Sequence, residues 1–274
     1  MFTHPFVLAV STLTRREIVR FLRQRNRVIG ALATPLAFWF MIGSGVGSSF
    51  SGTSGTAGAA GLAKATDTAA YLHYFFPGTL LLIVLFTAIF STISIIEDRR
   101  EGFLQGVLVS PIPRSAFVLA KLLGGTLLAF GQCLLIYLIA LNFGLPFSIP
   151  AFLLFTGTVF VLGLALTALG YLIAWPLDST QGFHAIMNLF LMPLWFLSGA
   201  LFPLAGSAKW LQTLGELNPL TYGLGLIRQS LEPGLALPAG CPPPLLSGGI
   251  TLAFALVLAW ASVEITKRMT VRNP

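Results

Sequence analysis

Apolar positions gather into long stretches without a single Asp, Glu, Lys or Arg: 28–63, 68–96, 122–177, 179–208 and 233–263. A bilayer-spanning helix takes about 20 consecutive apolar residues. Four of the stretches hold one such helix each once their Gly/Ser-rich or Pro-rich ends are set aside. The stretch 122–177 holds two, interrupted by the turn-rich Asn142-Phe-Gly-Leu-Pro146-Phe-Ser-Ile-Pro150. The pattern predicts six spans, at about 28–47, 74–96, 117–141, 151–175, 184–204 and 245–264, in an all-α polytopic membrane protein. Residues 1–27 form an N-terminal segment ahead of a single transmembrane domain, 28–274.

Between the spans lie amphipathic pieces. Residues 13–27 predict a surface helix: at 100° per residue Arg16, Arg20, Arg23 and Arg27 fall on one side, with Ile18, Phe21 and Leu22 opposite. Such a helix lies in the membrane interface, arginines toward lipid phosphates and water. It serves either as an anchor or as a part that transmits motion from a cytoplasmic partner. Residues 48–61 are Gly, Ser, Thr and Ala apart from Phe50, with little bulk, and predict a flexible external loop. Residues 97–114 are charged at first (Glu97, Arg99, Arg100, Glu101), then carry an apolar stripe of Phe103, Leu104, Val107 and Leu108 on a short helix stopped by Ser110, Pro111 and Pro113. That stripe fits a groove on a soluble protein or, alternatively, the lipid surface. Residues 209–232 are too polar to span and too apolar for a free loop, which predicts short helices re-entering the outer leaflet.

Charge fixes the orientation. Thirteen of the 16 Lys and Arg residues fall before span 1, between spans 2 and 3, or after span 6, against Lys64, Lys209 and Arg228 on the other side. The positive-inside rule makes the rich side, and both termini, cytoplasmic. Only 9% of residues are charged and 55% are hydrophobic, with mean hydropathy +0.86, which excludes an ordinary soluble enzyme. The net charge of +7 sits on short loops with no folded basic surface, so a nucleic-acid partner is not expected.

Catalytic signatures are missing. The sequence has no Gly-x-x-x-x-Gly-Lys-Ser/Thr loop for nucleotide phosphates and no His-Glu-x-x-His or cysteine cluster for zinc. Cys133 and Cys241 fall at different depths and are not expected to pair. Only Asp178 and Glu264 approach the spans, both at inner helix ends, so no buried acidic pair is expected. That weakens two rivals, an ion-gradient-driven secondary transporter and an intramembrane enzyme. Polar groups within the spans include Thr87, Ser91, Thr92, Gln132, His184 and Asn188. They line a substrate path, or they satisfy one another and cross-link helices.

Several motifs together resemble those of ABC-2-type exporter permeases, with their nodulation-factor, drug-resistance and polysaccharide branches. They are Pro77-Gly78, residues 99–113, Leu197-Ser-Gly-Ala-Leu-Phe-Pro203, and Asn218-Pro-Leu-Thr-Tyr222 with Arg228 beyond it. The likeness covers about residues 13–268 in order. It implies a coupling helix between spans 2 and 3 that docks on a separate ATP-binding subunit, present in two copies, which holds the ATP and Mg; this chain itself needs no cofactor and is not an enzyme. Coupling residues would be Glu97, Arg99, Arg100, Glu101, Gly102, Phe103, Leu104, Val107, Leu108 and Pro111. An outer gate would involve Ser198, Gly199, Asn218, Pro219 and Tyr222. It further implies a permease homodimer in the bacterial inner membrane exporting a lipid-like, glycan or amphiphilic drug-like cargo. One departure is the stretch Leu104-Gln105-Gly106-Val107, where many members carry an acidic residue.

Overall fold

A computed structural model describes residues 5–50, 68–142, 146–204, 206–231 and 242–272, without the side chains of 26–27, 42–50, 68–72, 108 and 269–272. Most of the expected external loop, Lys64 and Cys241 lie outside these residues, as do the side chains of Arg27 and Leu108. The described residues form helices and no strand. In chain order they are α1 (Pro5–Arg23), α2 (Arg25–Phe50), α3 (Thr68–Arg100), α4 (Phe103–Val109), α5 (Arg114–Leu141), α6 (Ile149–Ala174), α7 (Thr180–Phe196), α8 (Lys209–Leu217), α9 (Pro219–Leu231) and α10 (Pro244–Arg272).

Four helices are long and apolar enough to cross a membrane, at His73–Arg100, Arg114–Leu141, Ile149–Ala174 and Pro244–Arg268, and a shorter apolar helix covers Val28–Met41. The chain is a multi-pass helical membrane protein. Local chemistry sets the boundaries. Ser148 and Ser179 cap α6 and α7 by accepting from the amides of Ala151 and Gly182. Pro111 and Pro113 separate α4 from α5. The fifth expected span, about 184–204, differs from what forms: α7 stops at Phe196, and the following turn places Gly199 at φ +83°. The apolar run hid this stop, because hydropathy does not register the turn preference of Ser198-Gly199 ahead of Pro203.

The helix α3 is the axis of the bundle. It packs on α2, α5, α6, α7 and α9 and is apolar around its whole circumference, Leu80 through Leu85 being buried without a break. Small residues allow the close approach. A Cβ on Gly125 of α5 would collide with the Ser91 side chain of α3 and the Thr167 side chain of α6, so these short side chains close directly on the α5 backbone. By contrast α10 packs on α6 and α9 and turns Leu252, Leu256, Val257 and Trp260 outward, the surface a bilayer would cover.

The N-terminal helix has other bounds than the expected 13–27. It begins at Pro5 and ends at Arg23, and it runs beside α5 in the same direction. Thr14 bonds the Ala120 carbonyl, Glu17 abuts Gly124, and Phe21 packs with Leu128 and Ala31. Its buried stripe is Thr14, Glu17 and Phe21, one of them acidic.

Candidate functional site

The Arg100 end of α3, the inner end in the orientation that the charge distribution predicts, forms an ion cluster with the helices around it. Asp98 has 0% exposure, Lys121 of α5 6% and Glu17 of α1 7%. The Lys121 ammonium donates to Glu17 at 2.8 Å, to Ser94 at 3.0 Å and to Asp98, while Ser94 donates to the second Glu17 oxygen at 2.7 Å. Arg16 reaches Asp98 at 2.8 Å and Glu17 at 3.0 Å. Arg20 pairs with Asp98, with Glu97 at 3.1 Å and with Glu101 at 3.0 Å. Three cations and four carboxylates thus tie α1, α3 and α5 together, with α1 more than 75 residues of sequence from its partners. Buried charges persist only when paired and hydrogen-bonded, and here each buried one is.

This overturns two expectations. A buried acidic pair does exist, Glu17 and Asp98, bridged by Lys121. Arg16 and Arg20 face these acids rather than lipid phosphates, whereas Arg23 remains exposed. Burial alone would lower the Arg16 pKa, but the hydrogen bond and charge of Asp98 outweigh it and raise the value. Lys121 carried the missed signal: a lone cation inside the apolar run 116–123 requires a buried partner.

The cluster continues into α4. The Arg16 guanidinium lies 3.5 Å from the centroid of the Phe103 ring. Gly102 sits at φ 76°, the left-handed conformation that stops α3 and starts α4. Leu104 is buried in the core and Val107 packs partly against it, so most of the expected docking stripe faces the chain itself. Burying Leu104 and Val107 takes apolar surface out of water where a core lies beneath α4. The outward surface is instead Glu101, Gln105, Gly106, Val109 (86% exposed) and Pro111. Arg99 and Arg100 turn toward the neighbouring inner loop. Arg99 binds the carbonyl of Trp175, that of Leu177 at 3.2 Å and the Asp178 carboxylate at 2.9 Å; Arg100 donates to the Asp178 carbonyl at 2.9 Å.

The far end of α3 is held without carboxylates. The Tyr74 hydroxyl and the Arg228 guanidinium both donate to the Gly199 carbonyl, at 3.1 and 2.8 Å, and Arg228 stacks 4.4 Å from the Tyr74 ring centroid. Buried Trp195 donates to the Gly78 carbonyl at 3.0 Å, and Ser198 donates to the Trp195 carbonyl at 2.7 Å. Asn218 donates to the Leu194 carbonyl at 2.6 Å and accepts from the Leu220 amide at 3.0 Å, capping α9 with Pro219 in its first turn. Tyr222 donates to the Glu216 carbonyl at 2.7 Å. The five expected gate residues therefore gather around the α7–α9 junction.

The polar groups of the spans divide in two. Thr87 donates to Gln132 within the core, and Ser91 and Thr92 donate to carbonyls of their own helix. His184 and Asn188 are exposed on α7, with the His184 ring edge-on to Phe90 at 5.6 Å. Among the described residues no group of three His, Cys, Asp or Glu side chains is placed to hold a metal.

An all-helical multi-pass bundle whose charged residues tie helices together, with no nucleotide loop of its own, has the form of a membrane permease. A family model described as ABC-2 type transporter matches residues 9–231, and the chain belongs to that family. It is 27% identical over 227 residues to the putative transport permease ycf38 of Cyanophora paradoxa, covering 81% of this chain and 74% of the relative. It is 24% identical over 206 residues to nodulation protein J of Sinorhizobium fredii, covering 74% and 73%. A probable multidrug ABC transporter permease, YbhR of Escherichia coli, is 28% identical over 142 residues, 52% of this chain and 38% of the relative. The protein is thus an ABC transporter permease of the ABC-2 type, and the family implies an ABC ATPase as partner.

Proposed function

We propose that this chain is the membrane half of an exporter in the bacterial inner membrane, both termini cytoplasmic, and that two copies work with two copies of a separate ATPase. The ATPase docks on the outward surface of α4, around Glu101, Gln105, Gly106 and Val109. The carrying observation is that Arg16 joins Asp98 of α3 and Phe103 of α4 while α4 leaves its opposite face open. Force applied to α4 then moves the cytoplasmic ends of α1, α3 and α5 as one body, because loosening them would strand charges in a poorly solvating site.

Cargo passes along the face of α7 that carries His184 and Asn188, beside Phe86 and Phe90 of α3, opposite the second copy. A path this apolar suits a lipid-like or amphiphilic molecule, or a glycan attached to one. The helices α8 and α9 re-enter from the outer leaflet and act as the outer gate. Gly223 of α9 abuts Leu162, half-way along α6, which supports that depth.

Val109→Asp tests the docking surface. Exposed Val109 is not needed for folding, so the variant inserts with native thermal stability yet loses copurification with the ATPase and cargo-stimulated ATP turnover. Normal stimulated turnover would refute the assignment.

A further inference from the structure

The arginines of α1 do two different jobs. Arg16 and Arg20 turn inward onto carboxylates, whereas among the described residues no carboxylate pairs with Arg15, which is exposed. Arg15 borders a groove of about 410 Å³ between α1 and α5, open on one side. Its walls are apolar: Val7, Val10, Ile18 and Val19 from α1 and Leu123 from α5. The two hydroxyls in it are already committed, Ser11 to the Leu8 carbonyl at 3.0 Å and Thr14 to the Ala120 carbonyl at 3.3 Å. The groove therefore offers hydrocarbon walls and one unneutralised cation on its rim.

We propose that this groove holds one anionic glycerophospholipid of the inner leaflet, acyl carbons against Ile18, Val19 and Leu123 and phosphate on Arg15. Charge complementarity selects this occupant. A zwitterionic headgroup brings its own cation to the rim, and an amphipathic protein helix would need polar partners that the bonded hydroxyls do not supply. The same helix presents Glu17, two residues from Arg15 and on its other side, to the ion cluster, so a lipid seated here bears directly on the body that α4 drives. The site rests on placing α1 at the inner membrane boundary and is independent of whether the ATPase docks on α4.

The test is native mass spectrometry of the full-length chain released from micelles holding equimolar dioleoyl-phosphatidylglycerol and dioleoyl-phosphatidylcholine. The wild type retains one phosphatidylglycerol per chain in preference to phosphatidylcholine. Arg15→Gln lowers that preference about fivefold, the effect of one cation near a lipid surface. Ser11→Trp fills the groove and removes the retained lipid at unchanged thermal stability, while Lys209→Gln, on α8, leaves retention intact. Equal retention of the two lipids by the wild type, or an unchanged preference in Arg15→Gln, would overturn the proposal. So would displacement by millimolar inorganic phosphate, since the site needs acyl carbons as well as the anion. None of these results would bear on copurification with an ATPase through Val109, so the two proposals fail separately.

Discussion

Both ends of α3 are tied to elements far away in sequence, but by different means. The inner end is held by full charges: Asp98 and Ser94 meet Lys121, Glu17, Arg16 and Arg20. The outer end is held by a backbone carbonyl, that of Gly199, shared between Tyr74 and Arg228. Charges on side chains buried together act as a unit, because removing one leaves another unpaired in a poorly solvating place. A carbonyl with two donors can lose one and keep the other at modest loss. The contrast suits a lever that must stay rigid where it is pushed and must part from its neighbours where a path opens.

The largest effect should come from Lys121→Met. It leaves Glu17 with Arg16 and Ser94 alone and lowers stability by about 3–5 kcal/mol, read by thermal unfolding in nanodiscs. The double variant Glu17→Gln/Lys121→Met should recover more than half of that loss, since it removes both charges. Additive losses would mean that the inner end is no unit. At the outer end Arg228→Lys keeps the charge but not the planar fork and stacking, for about 1.5–3 kcal/mol. A loss as large as that of Lys121→Met would erase the distinction between the ends.

Smaller effects sharpen it. Gly102→Ala meets no neighbour within 4 Å, so its whole effect is the left-handed backbone, about 1–2 kcal/mol, and it should reduce ATPase coupling more than stability. Tyr74→Phe keeps the ring under Arg228 and loses one hydrogen bond of the Gly199 carbonyl, about 0.5–1.5 kcal/mol by thermal unfolding.

The two ends also differed in how plainly the sequence announced them. At the outer end Leu197-Ser-Gly-Ala-Leu-Phe-Pro203 and Asn218-Pro-Leu-Thr-Tyr222 are local turn and cap signals; Gly199 of the first accepts from Arg228, and Asn218 of the second donates to Leu194. The inner cluster is non-local. Glu17 sits among six arginines and reads as a surface charge, and Asp98 in Glu97-Asp-Arg-Arg100 reads as the start of a solvated loop. Helical periodicity within one segment does not tell which other helix lies opposite, so by itself it points Arg16 and Arg20 toward lipid. The inward turn of Leu104 was hidden for the same reason: a stripe on α4 marks an apolar face without saying whether a partner or the chain's own core covers it. Hydropathy, which needs no partner, located the long helices readily.

The most direct test follows the inner body while the machine turns over. Nitroxide labels at Arg23 of α1 and Gln105 of α4, both exposed, report the distance across the ion cluster by pulsed electron resonance in the assembled complex, before and after trapping with ATP and vanadate. The account predicts an unchanged distance distribution between them, while a label pair from Gln105 to its counterpart in the second permease copy shifts. A clear shift between Arg23 and Gln105 on trapping would contradict it, since α1 and α4 would then move apart and the charges between them would not form a lever.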